Sequence, residues 1–304
     1  MHHLAPCFLT ALLASPFAMA APAFIAQIAP GVYLHRGQLA DVDNPARADS
    51  ANLGVVIGTR CVAVIDSGGA LATGRALLAA IGAVTDKPVC YVINTHVHFD
   101  HVLGNAAFVA PATEFIGHEN LAEALADSRD YFATAFAAEL GGPGQAERII
   151  APTRTVAGEE RLDLGGRNLL LRAEPSAHSG TDLTVLDEQS QILFAGDLIS
   201  RERLPVLDGS LLGWLAWLSA NTRLHYAHVV PGHGPLDSDW PAGAHAEYAY
   251  LNALLSETRA ALAQGKLAED VKGRIAAHEL VLWQLTQHAH SLNVSRAFRE
   301  LEWE

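Results

Sequence analysis

The chain has 304 residues, half of them hydrophobic, with 33 Asp and Glu against 20 Lys and Arg, a balance that describes a folded globular protein and excludes disordered and fibrous classes. A formal net charge of −13 without a basic stripe argues against nucleic-acid phosphates or an anionic membrane surface as partners. Fifteen histidines are the compositional anomaly.

Residues 1–20, MHHLAPCFLTALLASPFAMA, contain no Asp, Glu, Lys or Arg, and their apolar run from Leu4 to Phe17 ends at Ala18-Met19-Ala20. That pattern predicts a secretory signal cut before Ala21, and the run is too short for the ~30 Å of hydrocarbon a membrane span must cross. The expected mature chain is therefore periplasmic or secreted. Cys7 leaves with the signal, while Cys61 and Cys90 meet an oxidising environment. Each lies near the start of a predicted strand, in CVAVIDSGG and VCYVINTH. Two outcomes stay open for them, a disulfide between neighbouring strands or two buried thiols.

From Gly31 to about Gly234 short strand-like runs alternate with Ala/Leu-rich helical stretches, the grammar of an α/β protein. GVYLHRG, NLGVVIG and CVAVID precede a helix near Thr73 to Ile81, and PVCYVIN follows it. EFIG leads into a helix predicted over about Glu119 to Leu140, stopped by Gly141-Gly142-Pro143-Gly144. RLDLGGRNLLLRAE then reads as a hairpin around Gly165-Gly166, with strands in TDLTVLDE, QILFAGD and AHVVPGHG. The similar order of elements in each half predicts two sheets packed face to face with helices outside. Residues 21–242 form this layered domain, and residues 243–304 read as helices lying on it.

Directly after the strand PVCYVIN stands Thr95-His96-Val97-His98-Phe99-Asp100-His101. Chance would produce its His-x-His-x-Asp-His pattern in roughly two chains per thousand of this composition and length. Alternation in an extended segment puts His96, His98 and Asp100 on one side, and His101 joins them only if the chain turns into a helix. Imidazole nitrogens suit a borderline-soft cation such as zinc, and a carboxylate beside them can serve a second ion. Further donors stand at strand ends: His178 in AHSGTDL, Asp197 in FAGD and His233 in PGHG.

With VAVIDSGG, THVHFDH, AHSGTDL, FAGD and PGHG in this order, the chain resembles the metallo-β-lactamase superfamily over nearly all of its mature length. The resemblance implies a four-layer αβ/βα sandwich of two mixed sheets with outer helices. It also implies two zinc ions, with iron or mixed loading as alternatives. His96, His98 and His178 would hold one ion, Asp100, His101 and His233 the other, and Asp197 would bridge them, so that Asp100 and Asp197 serve catalysis. An Asp at position 197 is similar to glyoxalase-II-like hydrolases; zinc β-lactamases usually place Cys or Ser there. The implied activity is cleavage of a small ester, thioester, lactone or amide by a hydroxide bridging the ions. β-Lactamase activity and an iron-dependent redox enzyme are the alternatives. A narrower resemblance, in NLGVVIGTRCVAVIDSGGA, GDLISRERLPVLDGSLLGW and the tail ending near NVSRAFRELE, is to quinoprotein relay system metallohydrolases. It implies association with a periplasmic quinoprotein system.

Asp66, ending VAVID, reads as a brace for the His loop or as a plain strand-ending carboxylate. His118 reads as the start of a helix, either a cap or a site residue. Arg201 and Arg203 read as contacts for an anionic substrate or as a solvent-facing pair. Trp214 and Trp217 mark a helix face packed on the core. His35, His225, His228 and His245 fit no ligand spacing, and His278, His288 and His290 read as surface or helix-packing residues.

Overall fold

The computed structural model describes residues 24–304, so the expected signal over 1–20 lies outside the described residues. The first half lays down β1 (Ala26–Ala29), β2 (Val32–His35), β3 (Leu53–Ile57), β4 (Val62–Ile65), α1 (Leu71–Val84) and β5 (Val89–Ile93). A short α2 (Phe99–Val102), β6 (Glu114–His118), α3 (Leu121–Ala135) and β7 (Arg154–Val156) complete one seven-stranded sheet in sequential order. β1 to β4 pair antiparallel, and β4 to β7 pair parallel. The second half holds β8 (Glu159–Asp163), β9 (Asn168–Ala173), β10 (Leu183–Asp187), β11 (Ile192–Ser200), α4 (Leu211–Asn221) and β12 (His228–His233). These strands form a five-stranded sheet in the order β12-β11-β10-β9-β8, with only β11 and β12 parallel. The tail adds α5 (His245–Ala263), α6 (Ala268–Val271) and α7 (Thr286–Leu301).

Alternation along each strand creates the layers. In β4, Ala63 and Ile65 face the second sheet, whose Leu171, Val185 and Phe194 meet them in one buried cluster. Val62 and Val64, on the opposite face, pack with Leu77 and Ile81 of α1. A strand buried on both faces must be apolar at every position, which is why VAVI shows no polar alternation. The outer face of the second sheet, through Leu193 and Ala195, is covered by Trp214 and Leu218 of α4, Tyr250 and Leu254 of α5 and Val294 of α7. The result is the expected sandwich of two mixed sheets between helical layers.

Several sequence expectations are refined. β1 and β7 carry no alternation long enough to stand out from sequence, at four and three residues. α3 ends at Ala135, five residues before the expected stop, because Phe136 leaves the helix and stacks on Phe99 with ring centroids 4.2 Å apart. Cys61 and Cys90 form a disulfide, their Cα atoms 5.8 Å apart where β4 and β5 lie side by side.

Glu247 on α5 is fully buried against β11, where its Oε2 accepts from Ser200 N at 3.3 Å and its Oε1 has no partner among the described residues. Burial pushes its pKa well above the ordinary 4.5. The folded chain therefore keeps a proton that the unfolded chain releases, and this group's contribution to stability falls as pH rises above that ordinary value. Glu247→Gln should flatten the loss of thermal stability between about pH 5 and 8 relative to the parent, as measured by melting temperature across that range.

Candidate metal centre

The site is assembled at strand ends where the two sheets open toward each other. Asp66, just past β4, adopts φ 59°, in the left-handed region that non-glycine residues seldom occupy. There its carboxylate accepts from Thr95 N at 2.8 Å, Thr95 Oγ1 at 2.7 Å and His101 Nδ1 at 2.8 Å. Three hydrogen bonds hold the unfavourable backbone, and they make Asp66 the brace of the histidine loop. After β5 the chain bends through Thr95–Val97 instead of staying extended, is extended at His98, then turns into α2 at Phe99, bringing Asp100 and His101 to the same cleft as His96 and His98.

The other half comes from the second sheet. His178 lies in the turn before β10. Asp197 sits within β11, where the pairing with β12 shifts register around Gly196 at φ 55°. His233 ends β12. Gly232 is obligatory for a different reason: a Cβ there would overlap Asp197 Oδ1 and crowd the backbone of Gly196 and Asp197.

All seven expected side chains meet in one cleft, as two groups that could each hold a metal ion: His96, His98, His178 and Asp197, and beside them Asp100, His101 and His233. Within each group the donor atoms lie within 4.8 Å of one another. His178 Nε2 is 3.1 Å from His98 Nδ1. Asp197 stands between the groups, its Oδ1 3.2 Å from His101 Nε2 and its Oδ2 3.2 Å from His233 Nε2 and 3.6 Å from His178 Nε2.

Each imidazole is committed on one nitrogen. His101 Nδ1 donates to Asp66, His178 Nδ1 to Val206 O at 2.7 Å, and His233 Nδ1 to Ser50 O at 2.8 Å. His98 Nε2 donates to Asp208 Oδ2 at 3.0 Å. Thr95 Oγ1 gives its proton to Asp66, so at 3.0 Å it accepts from His96 Nδ1. The remaining nitrogen of every ring then points into the cleft, where the neutral form of the ring offers an acceptor lone pair. His96 Nε2 is buried without a hydrogen-bond partner among the described residues, and His101 Nε2 and Asp197 Oδ1 face only each other at 3.2 Å. Such a buried imidazole acceptor beside a carboxylate fits a cation.

Electrostatics agree. Burial drives His96 well below the usual imidazole range and His178 down to about 3, so both rings are neutral donors at physiological pH. Burial opposes ionisation of Asp197, but His233, His101 and His96 override it and hold the carboxylate far below its ordinary range. His101 shows the converse: burial lowers it, and the carboxylates of Asp66, Asp197 and Asp100 outweigh that and raise it well above.

A cavity of about 400 Å³ opens onto Asp100, Asp197 and His233, with an apolar wall that includes Tyr131, Phe132, Phe136 and Leu292. Arg203 does not face solvent. Its Nη1 lies 3.0 Å from His233 Nε2 and 3.7 Å from Asp100 Oδ2, at the cavity floor. Arg201 turns away to the buried Asp237 at 3.1 Å. His288, expected on the surface or in helix packing, borders the cavity mouth from α7. His118 ends β6 instead of starting a helix, and its Nδ1 accepts from Asn120 N, a local turn role outside the site. His290 packs between Tyr250 and Lys272 O, and His35 is buried against Asp49. Trp214 does pack on the core, edge-on to His178 with ring centroids 5.4 Å apart. Sequence reasoning missed Ser50, whose Oγ donates to Asp100 Oδ2 at 2.7 Å, and Asp208. Neither stands in a pattern; only the fold brings them to the ligands.

This is an α/β sandwich with a His/Asp metal-binding cleft between its sheets. Residues 46–233 match the metallo-β-lactamase superfamily, and the chain belongs to it. No curated protein matches the sequence. Among solved structures, the stereoselective inverting sec-alkylsulfatase Pisa1 from Pseudomonas sp. superposes with a TM-score of 0.70 at 15% identity, over 93% of this chain and 51% of that one. The chain thus spans about half the length of that enzyme. A metallo-β-lactamase from Pontibacter korlensis gives 0.60 at 20% identity, over 75% of this chain and 98% of its own. The metallo-β-lactamase TMB-1 gives 0.55 at 20% identity, over 71% and 91%. These likenesses concern the fold. The chain shares its superfamily and fold with these enzymes and carries a His/Asp site that could hold metal.

Gly232→Ala should leave the sandwich folded while displacing Asp197. Metal analysis after dialysis at a fixed chelator concentration should then show at least about tenfold weaker retention than in the parent.

Proposed function

We propose that the chain is a periplasmic or secreted di-zinc hydrolase that cleaves a small ester, thioester, lactone or amide. The observation that carries the reading is the convergence of five imidazole nitrogens, all tethered from behind, on the carboxylates of Asp100 and Asp197. His96, His98 and His178 would hold one ion and Asp100, His101 and His233 the second, with Asp197 shared. Zinc supplies a nucleophile from water near neutral pH and polarises a scissile carbonyl.

The chain's own residues do the rest. Ser50 and Arg203 hold Asp100 Oδ2 so that the carboxylate faces the cavity ionised. The Tyr131, Phe132 and Phe136 wall binds the apolar part of a substrate and keeps bulk water from it. The apolar run before Ala18-Met19-Ala20 and the Cys61–Cys90 disulfide support an oxidising compartment. Arg203 favours a second reading, in which the substrate bears an anionic group next to the bond that breaks, as in an alkyl sulfate.

Purified protein should contain close to two zinc ions and hydrolyse members of a panel of acyl esters, thioesters, lactones, amides and alkyl sulfates. Chelation should abolish turnover and zinc restore it. Asp197→Asn should lower kcat/KM by at least about 100-fold, while nitrocefin turnover stays weak or absent. Iron content with oxygen uptake would instead establish the redox alternative, and efficient nitrocefin turnover the β-lactamase one.

A further inference from the structure

The segment between β11 and α4 carries two of the tethers just described, yet residues 201–210 form neither helix nor strand beyond a single bridge at Arg203. Val206 O fixes His178 and Asp208 fixes His98. A loop without regular hydrogen bonding needs something outside itself to hold it to the tolerance a metal site requires.

Three backbone bonds supply part of it, from Leu204 N to Gln284 O, Asp208 N to His178 O and Ser210 N to Ala177 O, and the side-chain support comes from α7. Asn293, Arg296 and Glu300 follow one another at spacings of three and four, so they share one face of the helix. All three reach the same loop. Asn293 donates through Nδ2 to Pro205 O at 2.7 Å and accepts through Oδ1 from Leu207 N at 2.8 Å. Arg296 donates to Leu207 O and forms an ion pair with Asp208. Glu300 accepts from Ser210 Oγ at 2.7 Å and Leu211 N at 2.7 Å, closing off the start of α4, where free N–H groups and the helix dipole favour a carboxylate. The adjoining face of α7 is anchored in the core through Val294, Ala297 and Leu301. The ligand most in need of support is His98, whose side chain is 26% exposed against 1% for His96 and 0% for His178.

We propose that α7 is a clamp for one half of the metal centre, with Arg296 as a positioning residue that acts through Asp208 on His98. The proposal rests on the reading of His96, His98 and His178 as ligands of one ion. It makes a helix beyond the superfamily-matching residues 46–233 part of the site. It also gives a physical reason why the segments around residues 205–212 and 293–300 belong together: they are two sides of one joint.

The test is metal retention by the full chain during dialysis against graded chelator, with melting curves confirming the fold and cadmium NMR distinguishing the nitrogen-rich group from the group containing Asp100. In Arg296→Met, the ion in the nitrogen-rich group should be lost at about 10- to 100-fold lower chelator strength, while the other ion is held as in the parent. Arg296→Lys should recover part of the loss, since an ammonium can pair with Asp208 but lacks the guanidinium fork that also holds Leu207 O. If Arg296→Met fails to fold, Glu300→Gln, which leaves the Arg296–Asp208 pair in place and loosens the same loop, decides by the same selective loss. Retention of both ions at parental strength, or parallel loss of both, overturns the clamp. A parent chain that retains no ion overturns the metal reading itself and the clamp with it.

Discussion

The rest of the site depends on one constraint: no imidazole in the cleft is free to rotate. A metal-binding histidine is held in place when its other nitrogen is hydrogen-bonded elsewhere, since this fixes both the tautomer and the plane of the ring. Here the five anchors are a carboxylate below the loop, a hydroxyl beside it, two backbone carbonyls and a carboxylate at the cavity edge. They come from both sheets and from the loops at their ends, so the cleft exists only when the sandwich is closed. Folding and metal affinity are thereby the same event viewed from two ends.

The sandwich explains why the donors gather where they do. Parallel strands β4 and β5 both run toward the cleft and leave it as loops, delivering Asp66 and the His96–His101 segment side by side. β11 and β12 repeat the arrangement in the second sheet with Asp197 and His233. The strained backbone of Asp66 and the register shift at Gly196 are local departures from regular structure, each at a residue or its neighbour that the site requires. Gly232 completes the logic by letting one strand end approach a carboxylate on the next more closely than any side chain allows.

Much of this was legible in sequence because the signal is local. His-x-His-x-Asp-His encodes a strand end turning into a helix, and strand-ending carboxylates and histidines beside glycine mark the mouths of an α/β sheet. Asp66 was readable as a brace from its place after VAVI. What escaped has a common cause. Ser50, Asp208 and the inward turn of Arg203 depend on contacts spanning 30 to 110 residues, with no periodicity or spacing to announce them. The disulfide depended likewise on whether two strands became neighbours, and His288 on where the last helix docked.

That docking carries the division of labour within the molecule. The superfamily portion provides the donor atoms and the aromatic wall of α3 and its exit, while the rim from Leu285 through Leu292 comes from beyond it. α7 therefore faces two ways, toward substrate with its apolar and imidazole side chains and toward the metal loop with its amide, guanidinium and carboxylate. A shift of that helix as a body moves the cavity rim and the supports of the loop that tethers His98 and His178 together. Substrate preference and metal geometry are coupled through one element, and a helix that reads in sequence as packing on the outer layer becomes a constraint on the chemistry.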